Sequence, residues 1–152
     1  MLAKRFTLLV LVLLAFSGCG LDARELSAPA IPPGSPMIQS FSQTSGTIGS
    51  AGGSLSTNGV TLVIPPLALS QATTVGLAVT ESGGSYSIEV TPDGQSLSGY
   101  ATVSVPCGTG SCPLLWLNPA TEEWEDVTTS TSPTHVRGRI GVLSRLEIDE
   151  LD

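Results

Sequence analysis

Residues 59–66 read Gly-Val-Thr-Leu-Val-Ile-Pro-Pro. Val60, Leu62 and Ile64 alternate with Thr61 and Val63, so a strand here has one face apolar throughout and the other half polar. Pro65 and Pro66 then remove two ladder donors and end it. The same period of two returns at Val75, Leu77 and Val79, at Tyr86, Ile88 and Val90, and at Ala101, Val103 and Val105. Pro92-Asp93-Gly94 stops the third of these runs, with proline fixing φ and glycine accepting a positive one. Leu114-Leu115-Trp116-Leu117 and the stretches 124–127, 136–140 and 142–148 supply further strands. Residues 66–71 have room for one helical turn, but no stretch sustains a 3.6-residue period. About seven or eight short strands of this composition and spacing predict an all-β fold, an antiparallel β-sandwich.

Upstream of 46 the chain changes character. Residues 20–45 carry Pro29, Pro32, Pro33 and Pro36 among Ser, Ala and Gly, without periodicity. This reads as a tether spanning roughly 25 to 30 Å as a flexible coil, although part of it could pack on the domain as an edge strand. Before it stand Lys4 and Arg5, the apolar run 6–16 and the small pair Ser17-Gly18 ahead of Cys19. That order is a secretory signal peptide over residues 1–18. As a helix the run 6–16 covers roughly 16 Å of a hydrocarbon core about 30 Å thick, too little for a span.

Phe16-Ser17-Gly18-Cys19 resembles the bacterial lipobox, with Phe16 where that motif usually has Leu. The resemblance implies a lipoprotein whose Cys19 is acylated, palmitate among its chains, and becomes the first residue. Several acyl chains together make a stable membrane anchor, where one holds only marginally. Gly20, rather than Asp, favours the outer membrane over the inner by the lipoprotein sorting pattern, in a host that has two.

Without residues 1–18 the chain keeps four arginines against thirteen Asp and Glu, a balance of −9. Phosphate backbones repel such a chain, which argues against a nucleic-acid partner. The only lysine is Lys4. A mature chain without lysine has neither a P-loop nor a Schiff base. Of three cysteines, Cys107 and Cys112 remain once Cys19 is assigned to lipid. In an oxidising compartment such a pair closes as a disulfide, contributing about 2 kcal/mol for so small a loop. Metal binding is the rival reading, but His135 is the only histidine and a structural zinc site wants four ligands.

Gly52-Gly53-Ser54-Leu55 followed by the run 59–69, which reads Gly-Val-Thr-Leu-Val-Ile-Pro-Pro-Leu-Ala-Leu, resembles the opening of the ZU domain. That domain is shared by ankyrins, netrin receptors and zonula occludens proteins. Its pattern is Gly-Gly, a strand, Ile-Pro, then a small residue and Ala. The run 90–94 is similar to its Pro-x-Gly turn and 101–106 to its next strand, and Trp124-Glu125 looks like a strand found in bacterial lipoproteins with related stretches. The likeness covers about residues 46–149, within a ZU-like domain set at 46–152. It implies a β-sandwich used for interaction or spacing, without a cofactor. Some relatives cleave themselves at His-Phe-Ser, where this chain has Val142-Leu143-Ser144. The hydroxyl is kept and its base is missing, so no self-cleavage is expected.

The remaining candidates are binding residues. Gly94-Gln95-Ser96-Leu97-Ser98-Gly99 is one residue too long for a hydrolase's nucleophile elbow, and His135 is the sole candidate base. His135, Arg137 and Arg139 share one strand face by their period of two. They could grip an acidic glycan, or pair across strands with Glu122, Glu123, Glu125 or Asp126. Trp116 and Trp124 are either core residues or an exposed sugar-stacking platform. Glu147, Asp149, Glu150 and Asp152 read as a solvated acidic tail rather than a calcium loop. The expectation is a lipid-anchored protein of the bacterial cell envelope that is not an enzyme and carries neither cofactor nor metal. Its sandwich binds or supports an envelope protein or glycan. The alternative is a carbohydrate or polyanion-binding accessory domain built on Trp116, Trp124, His135, Arg137 and Arg139.

Overall fold

Hydroxyl and β-branched residues at alternating positions make strands, and the described residues form eleven. A computed structural model describes residues 40–108 and 111–148. The stretch 1–18 expected to be a signal peptide, Cys19, the expected tether as far as residue 39 and the acidic residues 149–152 lie outside the described residues. The strands are β1 (Ser40–Ile48), β2 (Gly53–Thr57), β3 (Val60–Ile64), β4 (Thr73–Ser82), β5 (Ser85–Thr91) and β6 (Ser96–Pro106). They continue with β7 (Leu114–Asn118), β8 (Glu123–Asp126), β9 (Thr128–Thr131), β10 (His135–Val142) and β11 (Leu146–Ile148). One sheet runs β1-β4-β5-β11-β7-β8 and the other β2-β3-β6-β10-β9. They pack face to face as the antiparallel sandwich that the alternation predicts.

The core is the inward half of each strand. Val60, Leu62 and Ile64 of β3 and Ala101, Val103 and Val105 of β6 face Val75, Leu77 and Val79 of β4 and Ile88 and Val90 of β5, all buried. Leu114, Trp116, Leu146 and Ile148 close the six-stranded side. Burying each such side chain contributes about 1.5 to 3 kcal/mol relative to leaving it in water. β2 and β3 are joined by Asn58-Gly59, both with positive φ, the two-residue hairpin turn whose twist matches the strands.

Three strands escape the sequence reading, and the count rises from seven or eight to eleven. β1 places Ser42, Thr44 and Gly46 half-buried and buries only Ile48, so it carries no apolar period. It still pairs with β4 over all nine residues, and Asn58 Nδ2 donates to Ser40 Oγ at 2.8 Å. The tether boundary near residue 45 therefore moves: residues 40–45 are an edge strand, the alternative the sequence left open. β2 buries only Leu55, and β9, Thr-Thr-Ser-Thr, buries nothing. The stretch 142–148 is not one strand. Val142 ends β10, residues 143–145 carry the chain to the other sheet, and Leu143 N donates to Gln95 O at 2.9 Å there. Residues 66–71 form turns and not a helical turn, with Leu67 at φ 66°.

The register fixes two further relations. Ser40 pairs with Glu81, Glu81 with Tyr86 and Tyr86 with Ile148, so both ends of the described chain lie on one row of the six-stranded sheet. In the other sheet Leu55, Leu62, Val103 and Gly138 form an inward row. A Cβ at Gly138 would stand 2.7 Å from Leu114 Cδ2 and 2.8 Å from the carbonyl oxygen of Val127. Only glycine lets β10 approach the facing sheet this closely.

Candidate functional site

Because Val136, Gly138 and Ile140 point inward, His135, Arg137 and Arg139 must point out from the five-stranded sheet. The register then assembles their neighbours. One outward row is Ser56, Thr61, Ser104, Arg137 and Ser130, and the next is Ser54, Val63, Thr102 and Arg139. Neighbouring strands lie about 4.8 Å apart, so each arginine rises from a bed of hydroxyls. Thr61, Val63, Thr102, Ser104, His135 and Arg137 line a shallow groove of about 420 Å³ across the middle of this face. His135 is fixed at the start of β10. Its N–H donates to Ser132 Oγ at 3.0 Å, Ser132 N donates to its carbonyl at 2.8 Å, and its Nδ1 lies 2.9 Å from Thr134 Oγ1.

The expected pairing of this stripe with Glu122, Glu123, Glu125 and Asp126 is not what the structure shows. β8 lies at the edge of the other sheet, and two of its acids are engaged locally. Glu125 accepts from Asn118 Nδ2 at 2.7 Å, and Asp126 accepts from Thr128 N at 2.9 Å. The Thr128 side chain, and after it the Thr128 backbone N–H, hold the Asp126 carboxyl below its ordinary value. Among the described residues Arg137 and Arg139 have no acidic partner. Charge is in fact divided between the sheets. The strands β2, β3, β6, β9 and β10 contain no Asp or Glu, and the strands of the six-stranded sheet contain Glu81, Glu89, Glu123, Glu125, Asp126 and Glu147 but no basic residue. Arg145, beside β11, reaches Glu89 at 3.3 Å, a surface pair contributing at most about 1 kcal/mol.

The tryptophans do not join the stripe. Trp116 is 8% exposed, and its Nε1 donates to Val142 O at 3.2 Å, so it is a core residue. Trp124 is 41% exposed and pairs with Leu117, whereas Trp116 pairs with Glu125. Directly paired residues share a face, so the two indoles point to opposite sides of the six-stranded sheet and form no common platform. The aromatic that belongs to the stripe is Tyr100, 64% exposed. It lies on the outward side of β6, opposite in phase to Ala101, Val103 and Val105, and its ring borders Gly141, two residues beyond Arg139. Its phase in β6 was the available signal.

Cys107 and Cys112 form a disulfide, Cα to Cα 6.2 Å, on the connection from β6 to β7. Among the described residues no three His, Cys, Asp or Glu side chains gather into a set that could hold a metal. Ser144 is buried on the link between the sheets. From His135 to the end of β10 nearest Ser144, seven strand steps cover about 23 Å, so the histidine cannot serve as its base. No family model matches the chain, and no curated protein matches it.

Proposed function

We propose that this chain is a lipid-anchored protein of the bacterial cell envelope, held by acylated Cys19, with a ZU-like β-sandwich that acts as a non-enzymatic binding or structural module. Its working surface is the outer face of the five-stranded sheet. The observation that carries this reading is the division of charge: among the described residues the strands of one sheet hold no acid, and two arginines stand there without counter-charges. A face kept for packing or mere solubility has no need of that separation. The lone histidine is far from the buried serine, which supports a role in binding rather than hydrolysis.

The anchor is tested by fatty-acid labelling and fractionation of cells expressing the full chain. Wild type should label and sediment with membranes, and Cys19→Ala should do neither. Labelling of Cys19→Ala, or a processed wild-type chain found in the aqueous phase, overturns the anchor. The second reading, a carbohydrate or polyanion-binding accessory domain, is favoured by Arg137 and Arg139 standing unpaired among hydroxyls, and it proceeds without the tryptophans.

A further inference from the structure

We infer that the outer face of the five-stranded sheet binds an acidic polysaccharide. Arg137 and Arg139 take its carboxylate or sulfate groups, the flanking Ser and Thr rows take its sugar hydroxyls, and Tyr100 offers a ring face at the end of the strip. This rests on the second reading above and names its ligand class.

Three features select that class. First, Arg137 and Arg139 are two residues apart on one side of a strand, about 6.7 Å at strand rise. Each presents a planar fork that fits a carboxylate or sulfate through two parallel N–H bonds. Second, the surface between and beside them is hydroxylated: Thr61, Thr102 and Ser104 belong to the groove, and Ser54, Ser56 and Ser130 extend the same rows. Hydroxyls both donate and accept, which suits the equally bifunctional hydroxyls of a sugar. Third, Tyr100 is the exposed aromatic of this face, and a ring of that kind stacks on the apolar side of a pyranose while its O–H stays wet.

The same features argue against the rival occupants. A nucleic acid is held by many phosphate contacts, and binding through about 6 to 10 of them is usual, whereas this face offers two fixed cations on a chain of net charge −7. A folded protein partner would bury an apolar centre, and among the described residues this face exposes, apart from Tyr100, only Val63 as a large apolar side chain. The overall negative charge also repels a densely charged polymer at long range. An acidic polysaccharide, with about one charge per sugar, is far less densely charged than a duplex carrying one per roughly 1.7 Å, and meets the arginines at a smaller penalty.

The test uses the full chain purified in detergent and immobilised polygalacturonate, chondroitin sulfate, neutral dextran and duplex DNA. Binding to at least one of the two acidic glycans is expected, weakening as salt rises. Arg137→Gln with Arg139→Gln should lower that affinity by about tenfold or more. Tyr100→Ala should lower it by roughly fivefold. Arg145→Gln, on the other sheet, should leave it unchanged. Unfolding midpoints within about 2 °C of wild type would show that these exposed substitutions spare the fold. No binding to either acidic glycan at low salt overturns the inference, as does equal retention on dextran, tighter binding to DNA, or a double arginine variant that binds like wild type. Polygalacturonate against chondroitin sulfate decides whether carboxylate alone suffices. A chain that fails here but still labels at Cys19 and sediments with membranes loses only this inference. The reverse result loses only the anchor.

Discussion

The two outer faces of the sandwich are made by the same rule and come out opposite. Both sheets bury alternate residues against one shared core. On the six-stranded side the outward positions include Glu89, Glu147, Trp124 and Asp126. On the five-stranded side the outward positions of the strands include Ser and Thr rows, Val63, Tyr100, His135, Arg137 and Arg139 and, among the described residues, no acid. Packing constrains the inward residues of the two sheets alike, so a difference this consistent between outward residues belongs to what each face meets. That comparison is the reason the five-stranded face is the one we propose as the binding surface.

The strongest way to break the comparison is to disturb the row that holds β10 in place. Gly138→Val would drive side-chain atoms into Leu114 and the Val127 carbonyl, and should destabilise the fold by about 3 kcal/mol or more in urea unfolding. Gly141→Ala, whose nearest atoms lie at 3.7 to 3.8 Å, should cost less than about 1 kcal/mol. Equal effects would mean that the close approach of β10 to the facing sheet is not what fixes the stripe.

A finer contrast sits within one strand. Leu62 is buried and Val63 is 44% exposed, although they are neighbours in sequence. Leu62→Ala should cost about 2 to 5 kcal/mol by cavity formation and Val63→Ala within about 0.5 kcal/mol. A large loss at Val63 would show that the outer face is itself packed against something.

The smallest effect is electrostatic and confined to the acidic sheet. The Thr128 side chain, then its backbone N–H, lower the Asp126 pKa. A carboxyl depressed on folding contributes stability that is fully present above its unfolded value, near 3.9, and lost as pH falls through the folded one. Asp126→Asn should therefore lower stability slightly at pH 7, leave it unchanged at pH below the folded value, and so flatten the acid limb of a stability-pH curve below about pH 4. A variant whose acid limb falls as steeply as that of wild type would show that those two bonds contribute nothing to stability.

Sequence alone went furthest where side chains decide burial. Val60, Leu62 and Ile64 announce β3 because three β-branched or aliphatic residues in phase have nowhere else to go. β1 and β9 give no such signal, because apart from Ile48 their inward positions hold hydroxyls or glycine, and their pairing is carried by backbone bonds. The phase of His135, Arg137 and Arg139 was legible, but their neighbours were not. Whether the acids of β8 could reach them depends on which sheet β8 joins, and that is settled by the crossings at Val127 and at 143–145. The tryptophans illustrate the same limit. Eight residues apart, they fall on opposite faces because the turn between β7 and β8, with Glu122 at φ 57°, sets Leu117 opposite Trp124.

The single row that joins Ser40, Glu81, Tyr86 and Ile148 has a topological consequence. The two termini of the sandwich leave the same pole, three strand spacings or about 14 Å apart. A linker of about six residues spans that gap, so the fold is suited to circular permutation or to splicing as a cassette into a host loop.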